Sequence, residues 1–169
     1  LNAQGVNQLW GLSRGDDPLI RGHLFSWDSA TNTITNRKTF FGSIFNYPYP
    51  NFTVHNGMIY GVTGGDSYAT QSSIFEWDLQ TPEAPGVVKA VVNGISNGSL
   101  VSWNDKLYGL TRTGGAADSG FIFEWDPASG PADSGVPFGW DMTFFTTTEK
   151  ISFDFTKGSQ PLGGLVLLD

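Results

Sequence analysis

Cysteine is absent from this 169-residue chain, and basic clusters and long apolar runs are absent too. Without cysteine there can be no disulfide, no thiol catalysis and no cysteine-ligated metal. Lysine and arginine total nine against sixteen acidic residues, which gives a net charge of −7 and no surface suited to neutralising phosphates. We therefore expect neither nucleic acid nor an anionic membrane as a partner. No apolar run is long enough to cross a bilayer, so membrane insertion is not expected either.

Motifs for metals, cofactors and nucleophilic catalysis are also scarce. His23 and His55 are the two histidines, and neither has a second histidine or a catalytic serine motif beside it. The chain has no Gly-x-x-x-x-Gly-Lys phosphate loop. Asp16 and Asp17 could ligate Ca²⁺, but the alternating oxygen ligands of a calcium loop are missing. The sequence predicts no cofactor and no bound metal.

The residues that are abundant favour strands and tight turns. Glycine occurs 22 times, aromatic residues make up 14% of the chain and charged residues only 15%. Helices prefer alanine, leucine, glutamate and lysine, whereas short strands joined by turns have the composition seen here. An all-β fold is therefore predicted.

A repeated unit organises the chain. Leu107–Asp126 aligns without a gap on Ile59–Asp78 and again on Leu9–Asp28, so the period is close to 50 residues. Each copy holds two strand-like runs joined by a loop, and each ends in Phe-x-Trp-Asp. Self-similarity at such a period is typical of propellers, solenoids and arrays. Since each repeat contains four short strand patterns, a β-propeller built of about three four-stranded antiparallel blades is expected.

The expected boundaries follow from this repeat. We expect one domain over residues 1–169, with repeats at roughly 1–50, 51–98 and 99–169 and an insertion at Pro127–Lys150. The last predicted strand, Gly164–Leu168, is the counterpart of Ser99–Trp103. The chain begins just before a Leu-Tyr-Gly-type strand and ends in the turn before another. It is therefore expected to be an open segment of a longer chain's propeller, or half of a ring closed by dimerisation.

The third repeat carries a more specific resemblance. Its pattern is a Leu-Tyr-Gly-x-Thr strand, a Gly-Gly loop, a Gly-x-Ile-Phe strand and a return segment with Pro and Leu. The chain resembles the bacterial GloVer-type tandem repeat at Leu107, Tyr108, Gly109, Thr111, Gly114, Gly115, Gly120, Ile122, Phe123, Phe155, Pro161 and Leu165. The second repeat matches in its first half, and the first diverges, with Trp10 and Ser13 in place of Tyr and Thr.

That resemblance implies a kelch-like propeller module in a secreted or cell-surface bacterial protein. An extracellular or surface location is thus expected. The family resemblance implies no enzymatic activity, and a propeller fold by itself specifies none.

Loops that share one face of the predicted propeller are the candidate binding surface, because binding usually lies in loops on a rigid scaffold. Aromatic rings stack on the apolar faces of sugars while polar groups bond their hydroxyls. The ligand-binding candidates chosen on this basis are Arg14, Asp16, Asp17, Tyr47, Asp66, Tyr68, Arg112, Asp118 and Trp140. The alternatives are ordinary solvated turns and, for Tyr47, packing into the seam between blades.

Two repeated acidic positions have competing interpretations. Glu76 and Glu124 are equivalent, and paired carboxylates catalyse glycoside hydrolysis. However, Ser26 occupies the third copy of this position, and each glutamate lies mid-strand, where it is expected to pair with a polar group on a neighbouring strand. A further acidic set ends a strand in every repeat and is expected to form turns. This set is Asp28, Asp78 and Asp126.

Three functions remain open from the sequence. The first is an extracellular recognition or adhesion module that binds a glycan or a protein through the loop-rich face. The second is a structural building block that associates with its own copies through open blade edges. The third is an accessory part of a polysaccharide-degrading enzyme. The chain is more consistent with a non-enzymatic role.

Overall fold

A computed structural model of the chain describes most of the repeated region. The described residues are 8–14, 20–41, 48–63, 70–78, 80–81, 87–129, 145–154, 156 and 158–168. Within these stretches the chain forms twelve β-strands, one 3-10 turn at Pro127–Ser129 and no α-helix. The predicted all-β class is confirmed.

The twelve strands form three sheets. Sheet I is ordered β1-β2-β3, with bounds Gln8–Arg14, Ile20–Asp28 and Thr33–Phe41. Sheet II runs β4-β5-β6-β7, with bounds Pro48–His55, Met58–Thr63, Ser72–Asp78 and Val87–Val92. Sheet III is ordered β8-β9-β10-β12, with bounds Val101–Trp103, Lys106–Leu110, Phe121–Trp125 and Thr148–Ser152. These pairs are all antiparallel, and the short β11, Phe145–Thr146, adds a parallel strand beside β7.

Tight turns join neighbouring strands where the sequence offers residues that accept a positive φ. Asn56 and Gly57 have φ of 49° and 80°, and Asn104 and Asp105 have φ of 48° and 58°. Two consecutive left-handed residues make the type I′ turn, whose twist matches that of a hairpin. The first strand of sheets II and III is therefore joined to the second by a two-residue hairpin.

The strand-ending aspartates form turns, as predicted. The carboxylate Oδ1 of Asp28, Asp78 and Asp126 accepts a hydrogen bond from the backbone N–H two residues later, in each case at 2.8 Å. An aspartate that bonds its own downstream backbone stabilises the start of a turn.

Some predicted boundaries are wrong. Gly164–Leu168 is not a strand in the structure; a strand needs a neighbouring edge for its backbone groups, and no described strand pairs with this segment. The insertion is shorter than expected, because β12 begins at Thr148, inside Pro127–Lys150. The aromatic and proline-rich stretch Gly42–Pro50 also favours a loop in the sequence, but β4 begins at Pro48, inside that stretch. Residues 130–144 of the insertion lie outside the described residues.

Two apolar clusters join the sheets. One lies between sheets I and II and is formed by Leu12, Leu24, Ile59, Phe75 and Trp77. The other lies between sheets II and III and is formed by Tyr60, Val62, Ile74, Ala90, Val92, Leu100, Leu107, Phe121, Phe123 and Trp125. Sheet II therefore contributes side chains to both clusters.

The repeated Phe and Trp are buried in sheets II and III but only half-buried in sheet I. Phe75, Trp77, Phe123 and Trp125 all belong to the core. Their counterparts Phe25 and Trp27 keep part of their surface exposed.

The repeated glycine and the repeated phenylalanine form a cross-strand pair. Gly61 lies opposite Phe75, Gly109 opposite Phe123 and Gly11 opposite Phe25. In every case a Cβ on the glycine would overlap the phenylalanine ring. The glycine is thus required because the ring lies directly over its backbone.

Replacing Gly109 with alanine should destabilise the fold by about 1–3 kcal/mol, the usual cost of overpacking a core. The added methyl group would collide with the fully buried Phe123 ring, which has no free space to move into. Urea unfolding followed by tryptophan fluorescence measures the change. Gly163→Ala is the control, because a Cβ there meets no atom within 4 Å. Equal unfolding midpoints for the two variants would contradict the pairing.

Trp125→Ala should lower the free energy of unfolding by about 3–5 kcal/mol, because it empties a buried site of the largest side chain. Trp27→Ala, at the equivalent but half-buried position, should cost less. Calorimetric unfolding of both variants compares them directly. A Trp125→Ala protein that unfolds no earlier than the parent would refute the packing of sheets II and III.

Candidate functional site

The carboxylate of Glu124, a candidate for hydrolytic chemistry, is bound by three neighbours in sheet III. Lys106 Nζ lies 2.7 Å from Oε1, the Tyr108 hydroxyl donates to Oε2 at 2.8 Å, and Lys150 Nζ lies 3.3 Å from Oε2. The carboxylate is therefore flanked by strands β9 and β12 on both sides of β10.

Sheet II repeats this arrangement. The Tyr60 hydroxyl donates to Glu76 Oε2 at 2.6 Å, and Lys89 Nζ lies 3.1 Å from Oε1. The expectation that each glutamate pairs with polar groups on neighbouring strands is confirmed.

Sheet I has a different set of side chains at the same three positions. Ser26 replaces the glutamate, Trp10 replaces the tyrosine and Arg37 replaces the lysine. Arg37 Nε donates to Ser26 Oγ at 2.8 Å, and its guanidinium carbon lies 5.2 Å from the centroid of the Trp10 ring. A cation–π contact between Arg37 and Trp10 thus replaces the ion pair of the other sheets, while a basic residue is kept at this position.

All three cations occupy a β-bulge. The pairing shifts by one residue between the second and third strands of sheet I, and between the third and fourth strands of sheets II and III. The extra residue is Arg37, Lys89 or Lys150. A bulge redirects one side chain, and here it aims a cation at the central strand position.

These contacts make Glu124 a poor general acid. The hydrogen bond from Lys106, followed by that from Tyr108, lowers the pKa of Glu124 from 4.5 to about 2. The same interaction with Glu124 raises the pKa of both Lys106 and Tyr108. A general acid at neutral pH needs a raised carboxyl pKa, so the cluster is suited to holding strands together.

The predicted ligand-binding residues fall mostly outside the described part of the chain. Arg112 and Asp118 are described with their side chains, and Arg14 is described only as the last residue of β1. Six candidates lie outside the described residues: Asp16, Asp17, Tyr47, Asp66, Tyr68 and Trp140. The two described side chains belong to one loop, residues 111–120, between β9 and β10.

This loop interlocks with residues 93–100, the connection from sheet II to sheet III. Arg112 N donates to the Ile95 carbonyl at 2.6 Å, and Ile95 N donates to Thr113 Oγ1 at 3.0 Å. A Cβ on Gly94 would overlap the Thr113 carbonyl, and one on Gly114 would overlap the Asn93 carbonyl. The two loops therefore approach backbone to backbone and form one rigid surface.

Asp118 stabilises its own loop. Its Oδ1 accepts a hydrogen bond from Gly114 N at 2.7 Å, and its φ of 47° places it in the left-handed region. Gly120 N donates to the Gly114 carbonyl at 3.1 Å, which closes the loop further. The side chain stays exposed while performing this local role.

Where the two loops meet, three buried polar atoms have no hydrogen-bond partner among the described residues. They are Ser96 Oγ, Asn97 Oδ1 and Arg112 Nε. Ser96 is 1% exposed, whereas Asn97 and Arg112 are half-buried and reach the surface. Buried polar groups are nearly always paired, so these three atoms retain hydrogen-bonding capacity that no described residue uses.

Sequence reasoning identified Arg112 and overlooked Ser96 and Asn97. The stretch Asn93–Gly98 contains two Asn-Gly pairs, which are typical of ordinary turns. The available signal was weak: Ser96 and Asn97 differ from other turn residues only in being buried. Burial follows from the close approach of Gly94 and Gly114, which no local pattern reveals.

Two features are absent from the described residues. No group of three or more histidine, cysteine, aspartate or glutamate side chains in that part of the chain is placed to hold a metal ion. No helix there is long and apolar enough to span a membrane.

Comparison with known proteins adds no identification. No family model matches the sequence, and no curated protein matches it.

Acid should destabilise the parent protein partly through Glu124. Because its folded-state pKa is lowered, the ionised carboxylate stabilises the fold above pH 4.5. That stabilisation is lost as the pH falls from 4.5 towards 2. The free energy of unfolding of Glu124→Gln should be lower than that of the parent at pH 7. It should also decrease less than that of the parent between pH 4.5 and 2. Chemical unfolding at several pH values measures the slope.

Glu149→Gln is the control, since it removes an exposed carboxyl from the adjacent strand β12 with the same change of charge. At pH 7 it should cost less stability than Glu124→Gln, because Glu149 is exposed and accepts a hydrogen bond from the Ser152 hydroxyl, whereas Glu124 pairs with two lysines and a tyrosine. If Glu124→Gln keeps the full slope between pH 4.5 and 2, the ion-pair assignment is wrong.

Proposed function

We propose that the three sheets are blades of a kelch-like propeller and that the chain is a recognition module at a bacterial cell surface. Its ligand is a carbohydrate, bound where residues 93–100 and 111–120 meet. Propeller blades follow one another in chain order and repeat the same core, and sheets I, II and III have this arrangement. The resemblance of the third repeat to GloVer-type repeats supports the extracellular location.

The observation that carries the proposal is the set of unpartnered polar atoms on Ser96, Asn97 and Arg112. All three atoms are buried in the two loops, which backbone contacts hold together. The side chains of Asn97 and Arg112 are only half-buried, so a ligand can approach these loops from the side that they expose.

The chemistry of these atoms suits sugar hydroxyls. A hydroxyl group both donates and accepts, so it can pair with the Arg112 N–H, the Asn97 carbonyl oxygen and the Ser96 hydroxyl. The net charge of −7 repels polyanions at long range, which favours neutral sugars over acidic ones. Tyr68 and Trp140, the aromatic candidates from the sequence, lie outside the described residues.

A second candidate function is assembly with copies of the same chain. It is favoured by a different observation, the exposed aliphatic side chains of Leu162, Val166 and Leu168. Isolated apolar residues on a surface are normal, but a cluster of this kind marks an interaction surface.

The Ser96→Ala variant separates a binding role from a structural one. Removing an unpaired buried hydroxyl should leave stability unchanged or raise it by about 1 kcal/mol, while glycan binding weakens. Ser72→Ala is the matched control, because Ser72 Oγ accepts the hydrogen bond of Ser96 N at 2.9 Å. That variant should lose about 1–3 kcal/mol of stability by leaving a buried N–H unpaired.

The binding measurement uses an array of neutral and acidic bacterial polysaccharides, followed by titration calorimetry with the best ligand. The parent should prefer neutral sugars, and Ser96→Ala and Arg112→Met should each weaken binding at least tenfold. Absence of binding to any glycan, or equal affinity in Arg112→Met, would refute the proposal.

A further inference from the structure

The stretch from β11 to β12 is hydrogen-bonded to two different sheets. β11 pairs in parallel with residues 90–91 of β7, in sheet II. Thr147 N then donates to the Val91 carbonyl at 3.2 Å. Directly afterwards β12 pairs antiparallel with β10, in sheet III. We call residues 145–153 the bridging segment, because its first part extends sheet II and its second part extends sheet III.

The first part of the bridging segment supports the connection between sheets II and III, residues 93–100. β7 ends at Val92 and continues directly into this connection. The pairs between β11 and β7 lie at residues 90–91, immediately before that end. The end of β7 is therefore paired on both sides, with β6 on one side and β11 on the other. This double pairing fixes the point from which the connection starts.

The second part of the bridging segment supports the β9–β10 loop, residues 111–120. Ser152 pairs with Phe121, the first residue of β10. Phe153 N donates to the Gly120 carbonyl at 2.8 Å, at the last residue of the loop. The end of β12 therefore lies beside the point where the β9–β10 loop enters β10, so one short segment adjoins both loops of the proposed site.

The Ser152 hydroxyl reaches from this position into the β9–β10 loop. Its Oγ accepts a hydrogen bond from Ala116 N at 3.0 Å, and the hydroxyl donates to the carboxylate of Glu149. A Cβ on Gly115 would lie 2.6 Å from the same Oγ, so the loop backbone passes close to the hydroxyl. A hydroxyl donates one proton and accepts through its lone pairs. Because the Glu149 carboxylate takes the proton, the lone pairs of Oγ are left for the Ala116 N–H.

Hydrogen bonds within the β9–β10 loop connect Ala116 to the rest of it. Asp118 N donates to the Gly115 carbonyl at 3.2 Å, and Gly120 N donates to the Gly114 carbonyl at 3.1 Å. Ala116 lies inside both of these closed turns. A displacement of Ala116 therefore moves the loop as a whole.

We propose that Ser152 is a positioning residue for the carbohydrate site, an inference that rests on the proposed function. Through Ala116 it holds the β9–β10 loop, and with it Arg112, at a fixed place relative to the connection from sheet II. Ser152 acts through the loop and needs no contact with the carbohydrate. The bridging segment thus couples the arrangement of the two sheets to the affinity of the site between their loops.

Ser152→Ala removes the acceptor of the Ala116 N–H. It should weaken binding by about threefold to tenfold, the usual net worth of one hydrogen bond. The probe is the neutral polysaccharide that the parent binds most tightly on the array, and titration calorimetry measures the affinity. Ser152→Thr keeps the hydroxyl and should restore the affinity of the parent. Thr148→Val is the control, because it removes an exposed hydroxyl from the same strand and should bind like the parent.

Amide hydrogen exchange tests the positioning without any carbohydrate. In Ser152→Ala the Ala116 amide should exchange at least about threefold faster than in the parent, because it has lost its acceptor. The Arg112 amide, which donates to the Ile95 carbonyl, should also exchange faster, since the loop is held less firmly against the connection. The amide of Phe123, in the centre of sheet III, should keep the rate of the parent. That difference separates a loosened loop from a general loss of stability.

Weaker binding in Ser152→Ala, its recovery in Ser152→Thr and faster exchange at Ala116 and Arg112 support the positioning role. Equal affinity in Ser152→Ala and the parent, unchanged exchange at Arg112, or an equal loss of affinity in Thr148→Val would overturn it. A parent that binds no polysaccharide refutes the proposed function instead, and the exchange rates then decide by themselves whether Ser152 positions the loop.

Discussion

The contact between a phenylalanine ring and a glycine backbone on the neighbouring strand is the constraint on which the three sheets depend. It occurs at Gly11, Gly61 and Gly109. Because the tip of the ring occupies the place that a side chain on the glycine would fill, only glycine fits opposite the phenylalanine. Phe75 and Phe123 reach full burial in this way, and each contributes to a different apolar cluster. The glycine and the phenylalanine of the repeat lie on neighbouring strands and thus form one structural unit.

A second constraint acts across the strands of each sheet. The bulged residue of every sheet is a cation, and it reaches the side chain at the centre of the sheet. In sheets II and III it meets a glutamate that also accepts a tyrosine hydroxyl. In sheet I the glutamate and the tyrosine have both changed, to Ser26 and Trp10, and Arg37 contacts both. The cation is retained while its partners change together, which indicates that the bulge geometry determines the contact.

The sequence predicted the repeated elements well, because their signals are local. Phe-x-Trp-Asp alternation indicates β2, β6 and β10, and the Asn56-Gly57 pair is in itself a hairpin signal. The equivalence of Lys150 with Lys89 and Arg37 could not be predicted, since the spacing from the preceding Phe-x-Trp differs in each repeat. The burial of Ser96 could not be predicted from the sequence either, because it depends on contacts between two loops. Gly164–Leu168 has the side-chain pattern of a strand but is not a strand. A strand also needs a neighbouring edge to pair with its backbone groups, and the sequence pattern does not provide one.

The unpaired polar atoms of Ser96, Asn97 and Arg112 belong to two loops, one joining sheet II to sheet III and the other joining β9 to β10. These loops approach closely at Gly94 and Gly114, where a side chain on either glycine would overlap a carbonyl oxygen of the other loop. The two glycines therefore hold the loops together and also determine which polar groups are buried without a partner among the described residues. A substitution that separates the loops would change both the stability of this contact and the hydrogen-bonding capacity of Ser96, Asn97 and Arg112.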